Sequence, residues 1–266
     1  MNFSRFKTNF NHAKNTCKSY KDVINKLLWL YSNSLSLTKN YFINFSYPIP
    51  LGDFSLNLRV NNGSDHFIFS EVFDQQCYQL PLKPKSVHYI IDLGANIGLS
   101  TIYFSKIYPN AQIAFVEPIP ENFLLTQKNL KANNITAHGY RNAISIYNDS
   151  IKMTLGDNDY GHKVSNIPFG KELQTINEVT VQGITINEII KQLKFPKIDL
   201  IKIDIEGYEG ILLSEQLEWL NITHAIMMEI HQHVDIKQIE NTLFRYGFNY
   251  TEKIKGNYFY SKNLND

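Results

Sequence analysis

Two cysteines in 266 residues, Cys17 and Cys77, are too few for a disulfide framework and lack metal-ligand or redox spacing. A disulfide between them has no support, and a reducing, cytoplasmic compartment is the default expectation. No window approaches the ~20 apolar residues of a membrane span; "VINKLLWLY" is too short and reads as one amphipathic helix. The first residues, "MNFSRFKTNFNHAKN", have no apolar core and do not form a secretory signal. With a net charge of +1 the chain lacks the basic excess of a nucleic-acid partner. No internal repeat is visible. An apolar content of 43% suffices for one large globular domain, or for one domain with an appendage.

What is there divides near Pro81 and Pro84. Residues 1–80 read as an N-terminal extension: a helix over Tyr20–Tyr31 with Val23, Leu27, Leu30 and Tyr31 on one face, then "FSLNLRV" and "HFIFSEVF" as a hairpin around Asn62-Gly63. Residues 81–266 alternate strand and helix. "VHYIIDLG", "AQIAFVEP", "ITAHGYRNAIS", "KIDLIKIDIEG" and "THAIMMEIH" read as strands. Helices are expected over Gly98–Tyr108, Pro120–Lys131, Thr185–Leu193 and Asp235–Tyr246. Thr185 would cap the third, with Glu188 completing a capping box. The segment from Ser150 to Thr180 reads as an inserted hairpin and loop, with "NDYGHKVSN" as lid or surface loop. "FNYTEKI" and "NYFYSK" close the chain as a hairpin across Lys255-Gly256. Such alternation gives an α/β fold with a mostly parallel sheet covered by helices on both faces, and ligands gather at the carboxyl ends of its strands.

The strand ends therefore carry the chemistry. Asp92, Gly94, Asn96 and Gly98 form a small-residue turn into a helix; the spacing is Asp-x-Gly-x-Asn-x-Gly, not the dinucleotide G-x-G-x-x-G. A carboxylate at Asp92 would repel pyrophosphate and welcome an ammonium. Glu117, at the next strand end, suits two ribose hydroxyls, and Asn142 an adenine edge. Further on, Lys202, Asp204, Glu206 and Glu209 interrupt one apolar strand, and Glu229 and His231 end its neighbour, so that Asp204, Glu206, Glu229 and His231 would meet at one rim. These groups could also hold Mg, Mn or Zn; a divalent metal ranks below a metal-free site because no spacing such as H-x-x-x-H appears. Tyr160 and Tyr208 are candidate stacking surfaces for a sugar ring.

Together "DHFIFSEVFDQQCY", "IIDLGANIGLSTIYF", "AFVEPIPENF", "ITINEII", "DLIKIDIEGYE" and "MMEIH" resemble the FkbM family of S-adenosylmethionine (SAM)-dependent methyltransferases over about Asp65–His231. Asn187 departs from the aspartate usual there. The resemblance implies a class I methyltransferase fold, Rossmann-like, whose seven-stranded sheet ends in an antiparallel strand. It implies SAM as cofactor, held by Asp92, Gly94, Asn96, Gly98 and Glu117; Asn142 beside the adenine is the reading of the strand end alone. It also implies O-methylation of a small-molecule, natural-product or glycan hydroxyl. Lys202, Glu206 and Tyr208 are expected to meet the acceptor, and Asp204, Glu229 or His231 to take its proton; histidine fits that role by its ordinary titration, Asp204 by its placement. The rivals are an NAD-dependent oxidoreductase, which needs the missing G-x-G-x-x-G, a catalytically silent SAM-binding partner protein, and an RNA or protein methyltransferase. Oligomeric state is not legible.

Overall fold

A computed structural model of the chain describes residues 3–60, 63–83, 85–154, 163–164, 178–231 and 233–262. In chain order the strands are β1 (Tyr41–Ser46), β2 (Asp53–Leu58), β3 (Tyr89–Leu93), β4 (Gln112–Val116), β5 (His138–Tyr140), β6 (Ala143–Ile144), β7 (Ser150–Thr154), β8 (Lys163–Val164), β9 (Glu178–Ile184), β10 (Ile198–Ile203), β11 (Thr223–Met228), β12 (Tyr250–Ile254) and β13 (Asn257–Ser261). The α-helices are α1 (Phe3–Thr16), α2 (Tyr20–Leu30), α3 (Ser64–Phe69), α4 (Leu99–Ile107), α5 (Pro120–Ala132), α6 (Ile186–Leu193), α7 (Glu209–Leu212) and α8 (Ile236–Arg245).

Seven strands form the main sheet in the order β12-β13-β11-β10-β3-β4-β5. All run parallel except β13, which is antiparallel to both of its neighbours. The expected seven-stranded sheet with an antiparallel last strand is therefore present. Period-two alternation divides the sheet's side chains between two cores. Ile90, Phe115, Leu200, Met227 and Phe259 face the N-terminal extension with α4 and α5. Ile91, Val116, Ile201, Met228 and Tyr260 face α6, α7 and α8. Buried on both faces, β10 is apolar at four of its six positions, and the other two, Asp199 and Lys202, are held by ion pairs to Lys197 and Asp92.

Local signals explain most element ends. Thr185 Oγ1 accepts from the Glu188 amide, as a cap requires, while the Thr185 amide itself donates to Asn148 Oδ1 rather than to Glu188. Asp235 caps α8 through the amides of Lys237 and Gln238. Lys255 and Gly256 take φ of 48° and 100°, the paired positive values that a tight two-residue hairpin needs.

The extension differs from its sequence reading. Its hairpin is β1–β2, turning through residues 47–52. Asn62 lies outside the described residues, Gly63 precedes α3, and His66–Phe73 is helical: α3 runs into a π-helical turn over Ser70–Asp74. The reason is packing at a spacing of four. Phe69 and Phe73 share one face, with ring centroids 5.3 Å apart, and pack on Phe45 and Phe54 of the hairpin. A strand would have placed Glu71 on that same buried face. On α2 Val23 is buried as expected, but the rest of the buried face is Asp22, Lys26 and Trp29, and Leu27, Leu30 and Tyr31 are only half-buried. The Lys26 ammonium lies over the Phe45 and Phe69 rings and donates to Thr16.

Side-chain amides dock this extension on the sheet domain. Asn129 of α5 and Asn133, which caps its C-terminus, pair with the backbone of β2: the Asn57 amide donates to Asn129 Oδ1 at 2.7 Å, the Ser55 amide to Asn133 Oδ1 at 2.8 Å, and Asn133 Nδ2 to the Ser55 carbonyl at 2.7 Å. The asparagines thus satisfy an edge strand that would otherwise lack partners. Strands β6–β9 form a second, four-stranded sheet in the order β6-β9-β7-β8, so that "ITAHGYRNAIS" divides between two sheets. Most of the inserted loop, Tyr160 included, lies outside the described residues. No helix among the described residues is long and apolar enough to cross a membrane.

Candidate active site

A pocket of about 290 Å³ opens at the carboxyl ends of β3, β4, β10 and β11. Its floor is the turn after β3. Gly94 has φ 76°, and a Cβ there would lie 1.9 Å from the Asp204 carbonyl oxygen, so only glycine permits this close approach of two strand ends. Asn96, at φ 50°, turns the chain so that its amide donates to Glu117 Oε2 at 2.8 Å. The Ile119 amide donates to Glu117 Oε1 at 2.9 Å. Two backbone donors therefore fix the Glu117 carboxyl on the pocket wall. Burial pushes its pKa up to about 7 against the pull of those amides.

Beneath the turn sits a buried charge network. The register of β3 and β10 sets Lys202 beside Asp92 on the same face. Asp92 Oδ2 accepts from Ser100 Oγ at 2.7 Å and Thr101 Oγ1 at 2.6 Å, and Oδ1 faces Lys202 Nζ at 3.5 Å. Lys202 Nζ also donates to the Gly94 carbonyl at 2.8 Å and meets Asp204 Oδ2 at 3.3 Å. Burial alone would push the ammonium toward neutrality; Asp204 and Asp92 reverse that and hold it protonated.

At the other end of the pocket Glu206, with φ 55°, and Gly207 turn the chain after β10. His231 fills the space between two carboxylates, with Nδ1 3.0 Å from Glu209 Oε1 and Nε2 3.4 Å from Glu206 Oε2. Burial would lower the histidine's pKa, but these two carboxylates raise it to about 10. The backbone amide of Glu229 donates to the Ile203 carbonyl, which places Glu229 next to Asp204. The like charge of Asp204, with burial added, pushes the Glu229 carboxyl up to about 7.

The four rim residues expected from sequence, Asp204, Glu206, Glu229 and His231, do converge on this one pocket, together with Gly94, Asn96 and Glu117. Other expectations need correction. Asp92 is fully buried and off the pocket wall; the ammonium it meets belongs to Lys202. Lys202 has four protein acceptors for three N–H bonds, which leaves no donor for an acceptor molecule. Gly98 lies off the wall as well; a Cβ there would come within 2.8 Å of Thr126, so its role is the packing of α4 on α5. Asn142 donates its amide to the Gln182 carbonyl of β9 at 3.1 Å, and Ala143 and Ile144 line the pocket instead. Tyr208 is on the wall but only 7% exposed, with its hydroxyl toward Ser145, so it offers no open stacking face. As a proton acceptor His231 is occupied, since a carboxylate faces each ring nitrogen. Cys17 and Cys77 are both free, and burial pushes the Cys77 thiol on the pocket wall up to about 12.

The sequence leads one to expect the N-terminal region at the acceptor pocket but singles out none of the residues by which the extension forms its wall: Phe67, Ile68, Glu71, Val72, Cys77 and Tyr78. The helical spacing of Phe69 and Phe73 was the available signal, because it turns Phe67, Ile68 and Glu71 to the other side. Glu209, completely buried behind His231, was also given no role. Asn187, at the position that departs from the resemblance, bonds Glu218 on the surface away from the pocket.

Residues 92–250, more than half of the chain, match the methyltransferase FkbM domain. Among curated proteins, "Methyltransferase 1" of Beauveria bassiana is 26% identical over 54% of this chain and 64% of its own length. "Methyltransferase sdnD" of Sordaria araneosa is 26% identical over 70% and 82%. "31-O-demethyl-FK506 methyltransferase FkbM" of Streptomyces tacrolimicus is 24% identical over 65% and 76%. The chain thus spans just under two thirds of the first of these relatives and more of the other two. With the glycine turn, the acidic residue ending β4 and the acidic segment after β10 all inside the matched span, the chain belongs to the methyltransferase FkbM domain family.

Proposed function

We propose that the protein transfers the methyl group of SAM to a hydroxyl of a neutral, hydroxyl-rich small molecule, a sugar or a natural product. One observation carries this reading: a single pocket joins the glycine turn and Glu117 at one end to a row of carboxylates at the other. At the first end the amide-fixed Glu117 carboxyl keeps lone pairs for a ribose diol. At the second, Glu71, Asp204, Glu206 and Glu229 line the wall. They attract a sulfonium, accept hydrogen bonds from hydroxyls and repel anionic acceptors. The name of the Streptomyces relative describes a methylation at oxygen, which agrees in kind.

In this reading the acceptor oxygen attacks the methyl carbon in line with the sulfur, and the carbon–sulfur electron pair returns to sulfur. The hydroxyl proton goes to Glu229 and then to solvent. Among the described residues Asp204 is engaged by Lys202, Glu206 and Glu209 by His231, and Glu117 by amides, whereas no side-chain hydrogen bond or ion pair engages Glu229. The pocket's main contribution is position, with reacting atoms ~3–3.5 Å apart. Calorimetry with SAM and with NAD tests the reading: SAM binds and NAD does not. Binding of NAD in place of SAM would replace it with the oxidoreductase. SAM binding without methyl transfer to any sugar or natural-product extract, followed by mass spectrometry, would leave a silent partner protein.

A further inference from the structure

We propose that Asp204, Glu206 and His231 form a binding site for one divalent cation of the Mg²⁺ or Mn²⁺ class, with Glu209 as the buried group that orients the histidine. Each of the three offers one ligand atom, and these atoms all lie within 4.8 Å of one another, close enough to surround one ion. All three are half-buried on the pocket wall, where a bound ion would face the acceptor.

The donors are arranged as metal sites arrange them. A ligating imidazole usually gives its second N–H to a carboxylate, which fixes ring and tautomer. Here Glu209 does this at 3.0 Å from Nδ1, leaving Nε2 toward Glu206 and Asp204. Glu209 is itself fixed: its Oε1 also receives the Gly207 amide at 3.1 Å. A second feature also calls for a cation. The Glu209 side chain is 0% exposed and its Oε2 has no hydrogen-bond partner. Glu71, Glu206 and Glu229 line this end of the pocket and Glu209 lies buried behind His231, while the Lys202 ammonium is already shared between Asp92 and Asp204. Buried carboxylates in such excess are retained when a cation joins them. Two carboxylates and an imidazole suit a hard or borderline ion, and no cysteine is among the three ligands to favour a soft one. The cation's catalytic use, holding and acidifying the acceptor hydroxyl, rests on the methyl-transfer reading above; the cation site itself does not.

The test is titration of the full chain, cleared with EDTA, with Mn²⁺, followed by electron paramagnetic resonance. One Mn²⁺ per chain is expected, with a dissociation constant below ~1 mM, the upper end for protein sites of this ion class. Asp204→Asn and Glu206→Gln, both half-buried and tolerant of an isosteric amide, should each weaken it at least ~10-fold, and Glu209→Gln ~10–100-fold through the histidine. Circular dichroism checks that each variant is folded. No saturable binding, or equal binding by Asp204→Asn and Glu206→Gln, overturns the site. SAM calorimetry in EDTA separates the two claims: SAM binding without Mn²⁺ binding removes the cation and leaves the methyl-transfer reading, and the reverse removes that reading and leaves the cation.

Discussion

The protonation of Glu117 makes ligand affinity depend on pH in a direction the geometry fixes. Burial raises its pKa to about 7 in the free pocket. A ribose diol donates hydrogen bonds only to the ionised form on both oxygens, so binding draws the carboxyl into that form. The ionised fraction of a group with pKa about 7 is roughly 0.1 at pH 6 and roughly 0.9 at pH 8. Affinity should therefore rise ~9-fold across that range, about 1.3 kcal/mol. The SAM α-amino group, with an ordinary pKa of ~7.7–8.0, would blur the signal. Methylthioadenosine keeps the nucleoside and lacks the amino acid, so it is the cleaner probe. Calorimetry at pH 7 in two buffers of different ionisation enthalpy should count about half a proton released per ligand. Glu117→Gln should bind more weakly and with no slope. The free protein should show the opposite trend in stability. A carboxyl whose folded pKa lies above its unfolded value contributes stability below the unfolded value, and this is lost as pH rises through about 7. A flat or falling affinity from pH 6 to 8, or a slope that survives in Glu117→Gln, would refute the reasoning.

Glu229→Gln should lower the turnover rate ~10²–10⁴-fold in a methyl-transfer assay and leave SAM binding within about 3-fold, because it removes the proton acceptor while three other carboxylates still face the sulfonium and Glu117 still meets the ribose. Gly94→Ala should fail to bind SAM or fail to fold, given the 1.9 Å approach to Asp204, whereas Gly247→Ala, with open space around it and φ of 87°, should cost only about 1–2 kcal/mol in thermal unfolding. Lys202→Met should destabilise by ~3–5 kcal/mol by stranding buried Asp92, and Asp92→Asn in the same chain should restore part of that loss in a denaturant titration. Asn129→Ala should cost ~1–3 kcal/mol and speed amide exchange in β2, since its side chain supplies the acceptor for the Asn57 amide.

The sheet was legible because its strands are apolar runs with clear stops. Ile198–Ile203 and Thr223–Met228 end where carboxylates begin, and that break also located Asp204 and Glu229. Helix and hairpin signals worked where a cap or a turn residue carried them, the helices at Thr185 and Asp235 and the closing hairpin at Lys255-Gly256. The extension was harder to read because "HFIFSEVF" is aromatic and β-branched, and local propensity favours a strand there. Tertiary packing of Phe69 and Phe73 on the β1–β2 hairpin decides for a helix. The real hairpin turn, Tyr47–Gly52, carries two prolines and no Asn-Gly signal. Within the site, sequence showed which charges reach the strand ends but not which of them pair. Asp92 and Lys202 stand 110 positions apart, and only strand register makes them neighbours. Asn142 was misplaced for a similar reason: its partner, the Gln182 carbonyl, lies beyond the inserted loop.

The most direct measurement is a crystal structure of the chain with S-adenosylhomocysteine. The account predicts the ribose hydroxyls on the Glu117 carboxyl, the nucleoside against the Gly94–Asn96 turn, and the sulfur facing the Asp204–Glu229 end of the pocket. Ribose away from Glu117, or the ligand lodged outside this pocket, would contradict it.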